Sequence, residues 1–234
     1  MEYLIGKSEI SIIVLLTIIS IFMTTCGTYM LSKNDRIVFF GDSITELAVK
    51  PNGYISLIRQ AFDQNNKTKN VKTIGAGISG HKVPDLLARV HRDVLSQNPT
   101  IVFIYIGIND VWHSIIPGTS GTPPDEYKAG LISLVKQMNK RGIRVILCTP
   151  TTVGEKTDGT NPLDSKLDEY AAIVRTVAQT EQVELCDLRA IFIDFLKQNN
   201  LQNIEEGILT CDGVHLSDRG NQLVADTMLK MLRR

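Results

Sequence analysis

Five short apolar runs, at residues 36–40, 71–74, 101–106, 143–147 and 183–185, alternate along the chain with segments whose apolar residues recur at helical spacing. Tyr54, Leu57, Ile58, Ala61 and Phe62 form the first such segment, and Val83, Leu86, Leu87 and Val90 the second. Leu131, Leu134, Val135 and Met138 form the next, followed by Leu167, Tyr170, Ala171, Val174 and Val177. A final amphipathic segment carries Leu223, Val224, Thr227, Met228 and Met231. Continuous apolar runs of this length are what strands buried on both faces require, because helices in the connections cover each side of a parallel sheet. Strand, helix, strand, helix is therefore the order of an α/β fold.

A chain of 234 residues suffices for one well-buried domain. The expected architecture is a three-layer, flavodoxin-like sandwich over residues 34–234, with about five parallel strands and helices on both faces. Residues 1–33 are set apart as a hydrophobic N-terminal segment and linker. No residue from Ile10 to Ser32 carries a charge, and 10–23 is almost wholly aliphatic. A bilayer-spanning helix needs about 20 apolar residues and a secretory leader about 7 to 15, so both fit, with a buried N-terminal helix as the alternative. Cys26-Gly27 after the run resembles a bacterial lipoprotein signal, in which the cysteine is lipidated. The expected location is the cell envelope, by lipid anchor at Cys26, by an uncleaved helix or by export.

Lysine plus arginine equals aspartate plus glutamate, 25 each, so no net attraction to nucleic acid is expected. Cys148, Cys186 and Cys211 lack metal-ligand spacing; the first two read as small buried side chains, and Cys211, next to Asp212, as packing or as a neighbour of the site. No metal or cofactor is called for.

In open α/β sheets ligands bind beyond the carboxyl ends of the strands. Gly41-Asp42-Ser43 follows the first run, Gly75 to Gly80 the second, and Gly107-Ile108-Asn109-Asp110 the third; Asp212-Gly213-Val214-His215 precedes the last helix. A serine hydroxyl is a poor nucleophile until a base takes its proton, and an imidazole serves best when a carboxylate holds its other nitrogen. Asp212, three residues before His215, has the spacing for one loop to aim both groups. Asn109 supplies an amide of the kind that stabilises an oxyanion. Together these residues point to acyl transfer. Asp42 reads as a turn residue, His91 as a solvated helix side chain, and His81 and His113 as neighbours of the cleft without assigned roles. Loops 111–124 and 151–162 are expected to border the site and select substrate.

With these motifs in this order, residues 36–234 resemble the SGNH hydrolases, also called GDSL esterases and lipases. The resemblance implies Ser43 as nucleophile, Asp212 and His215 as the rest of the triad, and an oxyanion hole made by the N–H groups of Ser43 and Gly80 with the Asn109 amide. Gly75 stands where many members have asparagine. The implied activity is that of a serine esterase acting through an acyl-enzyme on a small-molecule ester: a short-chain acyl ester, an acetylated sugar or a lysophospholipid. The alternative is a catalytically silent, envelope-tethered module that binds acylated glycans in the same cleft.

Overall fold

The computed structural model describes residues 31–68 and 70–232; the N-terminal apolar stretch up to residue 30 and Cys26 lie outside them. Five parallel strands, β1 (Arg36–Gly41), β2 (Lys72–Gly77), β3 (Ile101–Tyr105), β4 (Arg144–Cys148) and β5 (Glu184–Cys186), form one sheet in the order β2-β1-β3-β4-β5. Helices α1 (Ser43–Leu47), α2 (Tyr54–Asp63), α3 (Val83–Asp93) and α4 (Ile108–Trp112) precede α5 (Pro124–Asn139) and α6 (Asp164–Thr180). They are followed by α7 (Leu188–Asn199) and α8 (Asp218–Leu232). Right-handed crossovers place α2 on one face and α3, α5 and α6 on the other. Accordingly α2 packs against α8, while α5 lies between α3 and α6.

The central strands β1 and β3 are apolar where both faces are covered: Ile37, Val38, Phe39 and Phe40 are buried, as are all five residues of β3. Phe39 stacks on Phe103 across the strand pair, with ring centroids 5.2 Å apart. One expected boundary shifts. Gly75, Ala76 and Gly77, read as a loop, are the last residues of β2, in register with Phe39, Phe40 and Gly41. Ladder bonds to a buried central strand outweigh the weak strand preference of a Gly-Ala-Gly sequence. Helices α1 and α4 are too short to show a periodicity, and α7 was not anticipated; it buries Leu188, Phe192 and Leu196.

The strand order reverses direction between β1 and β3. At that point the two crossovers leave to opposite faces and open a crevice beyond the carboxyl ends of the strands. Ser43 follows β1 and Asn109 follows β3, so one lies on each side of the crevice. Among the described residues, no helix is long and apolar enough to cross a membrane.

Candidate active site

The strand-to-helix turn after β1 is tight enough that only glycine fits its first position. A Cβ on Gly41 would lie 2.2 Å from the Tyr105 carbonyl oxygen and 2.4 Å from Thr45 Oγ1. The buried Asp42 then caps α1, its Oδ1 accepting from the Ile44 N–H at 3.0 Å, which makes Ser43 the first helical residue. From the far end of the chain, His215 brings Nε2 to 3.0 Å from Ser43 Oγ. Its Nδ1 lies 2.7 Å from Asp212 Oδ2, while Asp212 Oδ1 accepts from the N–H groups of Val214 and His215 at 3.0 and 2.7 Å. Burial pushes the Asp212 carboxyl up, but its bonds from the His215 side chain and the two backbone N–H groups outweigh that and hold it below the ordinary value. Asp212 thus stays a carboxylate, which favours a proton on Nδ1 and leaves Nε2 facing the hydroxyl as an acceptor.

Across the crevice, Asn109 is 3% exposed and its Nδ2 donates to the His81 carbonyl oxygen at 3.1 Å. A primary amide has two N–H donors, so one remains. Gly80 has φ +77°, a left-handed conformation that L side chains rarely adopt. Neither its N–H nor that of Ser43 has an acceptor among the described residues. Three donors are therefore spare around one crevice. Gly80 follows Ser79, whose N–H donates to Glu46 Oε2 at 2.7 Å and whose hydroxyl donates to the same oxygen, tying this turn to α1.

One neighbour of the site, Arg89, has no local signal in the sequence. Arg89, 4% exposed, donates to the carbonyls of Gly41 and Ala76 at 2.7 and 2.9 Å and to His81 Nδ1 at 3.0 Å. It clamps the ends of β1 and β2, and it makes His81 Nδ1 an acceptor, so the neutral ring carries its proton on Nε2. Burial and the Arg89 charge together hold the His81 pKa below its usual value. Loops 111–124 and 151–162 both reach the motif segments: the Thr122 N–H donates to Asp110 O at 2.9 Å, and the Gly154 N–H donates to Gly213 O at 2.8 Å. A cavity of about 210 Å³ between α4 and α6 is lined by residues that include Asp110, Ser114, Thr122, Lys166, Glu169 and Tyr170, and by none of Ser43, Gly80, Asn109 and His215. Cys148 and Cys186 are buried as expected, whereas Cys211, next to Asp212, is exposed. His91 is exposed. Among the described residues, no group of three His, Cys, Asp or Glu side chains is placed to hold a metal ion.

Burial pushes the Asp42 carboxyl up to about 7, the Asp110 charge adding to the rise and the Ile44 N–H opposing it. The folded chain therefore keeps a proton that the unfolded chain loses at about 3.8, and stability falls as pH rises between the two values. Asp42→Asn keeps an oxygen for the Ile44 N–H and removes the charge. Its melting temperature relative to wild type should climb from pH 4 to about pH 7 and then level off. A difference independent of pH across that window would show that Asp42 does not titrate there.

Comparison with known proteins decides what family builds this crevice. A family model described as GDSL-like Lipase/Acylhydrolase matches residues 39–223. The chain belongs to this family. It is a carboxylic ester hydrolase, and the five-stranded sheet is the fold of its structural neighbours. This GDSL-family chain is 30% identical to an acetylxylan esterase of Geobacillus stearothermophilus over 86% of its own length and 94% of the relative's. The crystal structure of an acetyl xylan esterase, AlAXEase, superposes with a TM-score of 0.82 at 41% identity, covering 84% of this chain and 99% of that one. An uncharacterized lipoprotein, YqeF of Bacillus subtilis, is 25% identical over 81% of this chain and 86% of its own length.

Proposed function

We propose that residues 34–234 form a serine esterase that removes acetyl groups from sugar hydroxyls through an acyl-enzyme. The observation that carries this reading is the unbroken relay from Asp212 Oδ2 to His215 and on to Ser43 Oγ, at 2.7 and 3.0 Å. His215 Nε2 takes the hydroxyl proton as Ser43 Oγ bonds to the carbonyl carbon, and the carbonyl π pair moves onto oxygen. That oxyanion is met by the N–H groups of Ser43 and Gly80 and by the spare Asn109 N–H. When the tetrahedral intermediate collapses, the bond to the leaving oxygen breaks and His215 protonates it, releasing the sugar hydroxyl. Water then enters, gives its proton to His215, and attacks the acyl carbon; acetate leaves and Ser43 regains its proton. Asp212 holds the tautomer and stabilises the imidazolium throughout.

An acetylated sugar is favoured over a lysophospholipid by the two acetylxylan esterases that this chain resembles over more than four fifths of its length. A tether in the cell envelope is supported by the uncharged stretch from Ile10 to Ser32 and by the lipoprotein relative. One experiment addresses both parts. Cells expressing the full chain are separated into membrane and soluble fractions, and each is assayed for acetate release from acetylated xylo-oligosaccharides and for fatty acid release from lysophosphatidylcholine. Acetate release confined to the membrane fraction is expected. Activity on the lysophospholipid alone would overturn the substrate, and full-length chain in the soluble fraction would overturn the tether.

A further inference from the structure

Ser43 and Asn109 are fixed by the ends of two central strands, but His215 is not. It sits on a loop after α7, outside the sheet, and its distance to Ser43 must be set by something that ties this loop to the layers. Glu155 is the strongest such tie. Its side chain is 0% exposed, and no cation pairs with it among the described residues. Instead Oε1 accepts from the N–H groups of Leu209 and Thr210 at 2.7 and 2.5 Å and from Thr210 Oγ1 at 2.8 Å, and Oε2 accepts from the Ile208 N–H at 2.8 Å. A buried carboxylate is tolerated only when its lone pairs are met, and here four donors meet its roughly four acceptor sites.

The gripped segment is the foot of the catalytic loop. Thr210 and Leu216 form an antiparallel bridge, with the Cys211 N–H donating to His215 O at 2.8 Å and the Ser217 N–H to Leu209 O at 2.9 Å. Asp212 and His215 lie between these closures. The next residue along from Glu155 reaches the loop itself, through the Gly154 N–H and Gly213 O. On its other side the segment is held to the body of the fold: Arg189 donates to Thr151 O at 2.7 Å, and Tyr105 OH lies 2.9 Å from Thr151 Oγ1. A continuous path therefore runs from β3 and α7 through residues 151–155 to residues 208–210 at the foot of the His215 loop and to Gly213 within it.

We infer that Glu155 is a positioning residue that sets the reach of His215 to Ser43 through the backbone of residues 208–210, an inference that rests on the triad reading above. Misplacing a catalytic group by about 1 Å costs on the order of 10²-fold, so the tie acts on the rate as well as on folding. In Glu155→Gln the shape is kept, but an amide nitrogen must face one of the backbone donors that now meet carboxylate oxygens. That end of the clamp opens.

The test uses the purified full chain with p-nitrophenyl acetate, measuring kcat, KM and melting temperature, and following by proton NMR the downfield signal of the Nδ1–H that His215 shares with Asp212. In Glu155→Gln, kcat of the folded protein should fall about 10-fold or more with KM within about twofold, and the downfield signal should broaden or vanish. A lowered melting temperature with kcat and the downfield signal unchanged would overturn the inference, because a purely structural carboxylate moves only the first. If Glu155→Gln does not fold, Thr210→Val decides: it removes one of the four donors and should lower kcat about threefold at constant KM, whereas wild-type kcat would overturn the inference. His215→Ala in the same assay separates the two levels. If it stays active, the triad reading fails; if it is inactive while Glu155→Gln turns over normally, only the role of Glu155 fails.

Discussion

Ser43→Ala should lose about 10⁶-fold in turnover of p-nitrophenyl acetate, the scale seen when a serine nucleophile is removed from a triad that works as a unit. The loss should be chemical and not structural. Among the described residues Ser43 Oγ has one hydrogen-bond partner, His215 Nε2, at 3.0 Å, and the capping of α1 is done by Asp42. Alanine is also the residue best suited to a helix start that needs no side-chain bond there. The variant should therefore melt within a few degrees of wild type, since a partly exposed imidazole nitrogen can turn to water. The check is an initial-rate assay on a pure sample alongside a melting curve. More than a tenth of wild-type activity would take the nucleophile role from Ser43.

Asn109→Ala should lower kcat by about 10² to 10³-fold and leave KM nearly unchanged, because a donor aimed at the oxyanion binds tightly only once charge has developed there. The structure adds a second consequence. Asn109 Nδ2 also holds the His81 carbonyl at 3.1 Å, so the substitution frees the turn that presents the Gly80 N–H. A modest fall in melting temperature, from the loss of a hydrogen bond worth about 1 kcal/mol, should accompany the rate effect. Measuring kcat, KM and melting temperature on one preparation separates the two. A normal kcat with a depressed melting point would make Asn109 a structural residue of α4.

The sheet was legible in the sequence because a strand buried on both faces must be apolar where it is covered: β3 is so at every position, and β1 and β4 are after their first residue, an arginine at the strand end. The edge was less so. Exposed on one side and finishing in Gly75, Ala76 and Gly77, β2 owes its last residues to pairing with β1, which no local pattern announces. Ser43, Asn109, Asp212 and His215 stood out because the first two directly follow apolar strands and the last two lie three residues apart before the final helix. Arg89 and Glu155 did not. Each is a charged residue buried by partners far away in sequence: Arg89 Nη2 reaches Gly41 O across 48 positions, and Glu155 reaches Thr210 across 55. Only tertiary structure brings those partners together, so nothing local in the sequence marks either residue. Cys211, next to Asp212, is exposed, so of its two readings it is packing that the structure does not support.

The central claim is that Ser43 is an activated nucleophile, and a fluorophosphonate probe reads that property directly, since only a serine paired with a working base reacts readily. Peptide mass spectrometry after brief labelling of the full chain should find one adduct, on the peptide containing Ser43, absent in Ser43→Ala and strongly slowed in His215→Ala. An unlabelled wild-type chain, or an adduct on another residue that persists in Ser43→Ala, would contradict it.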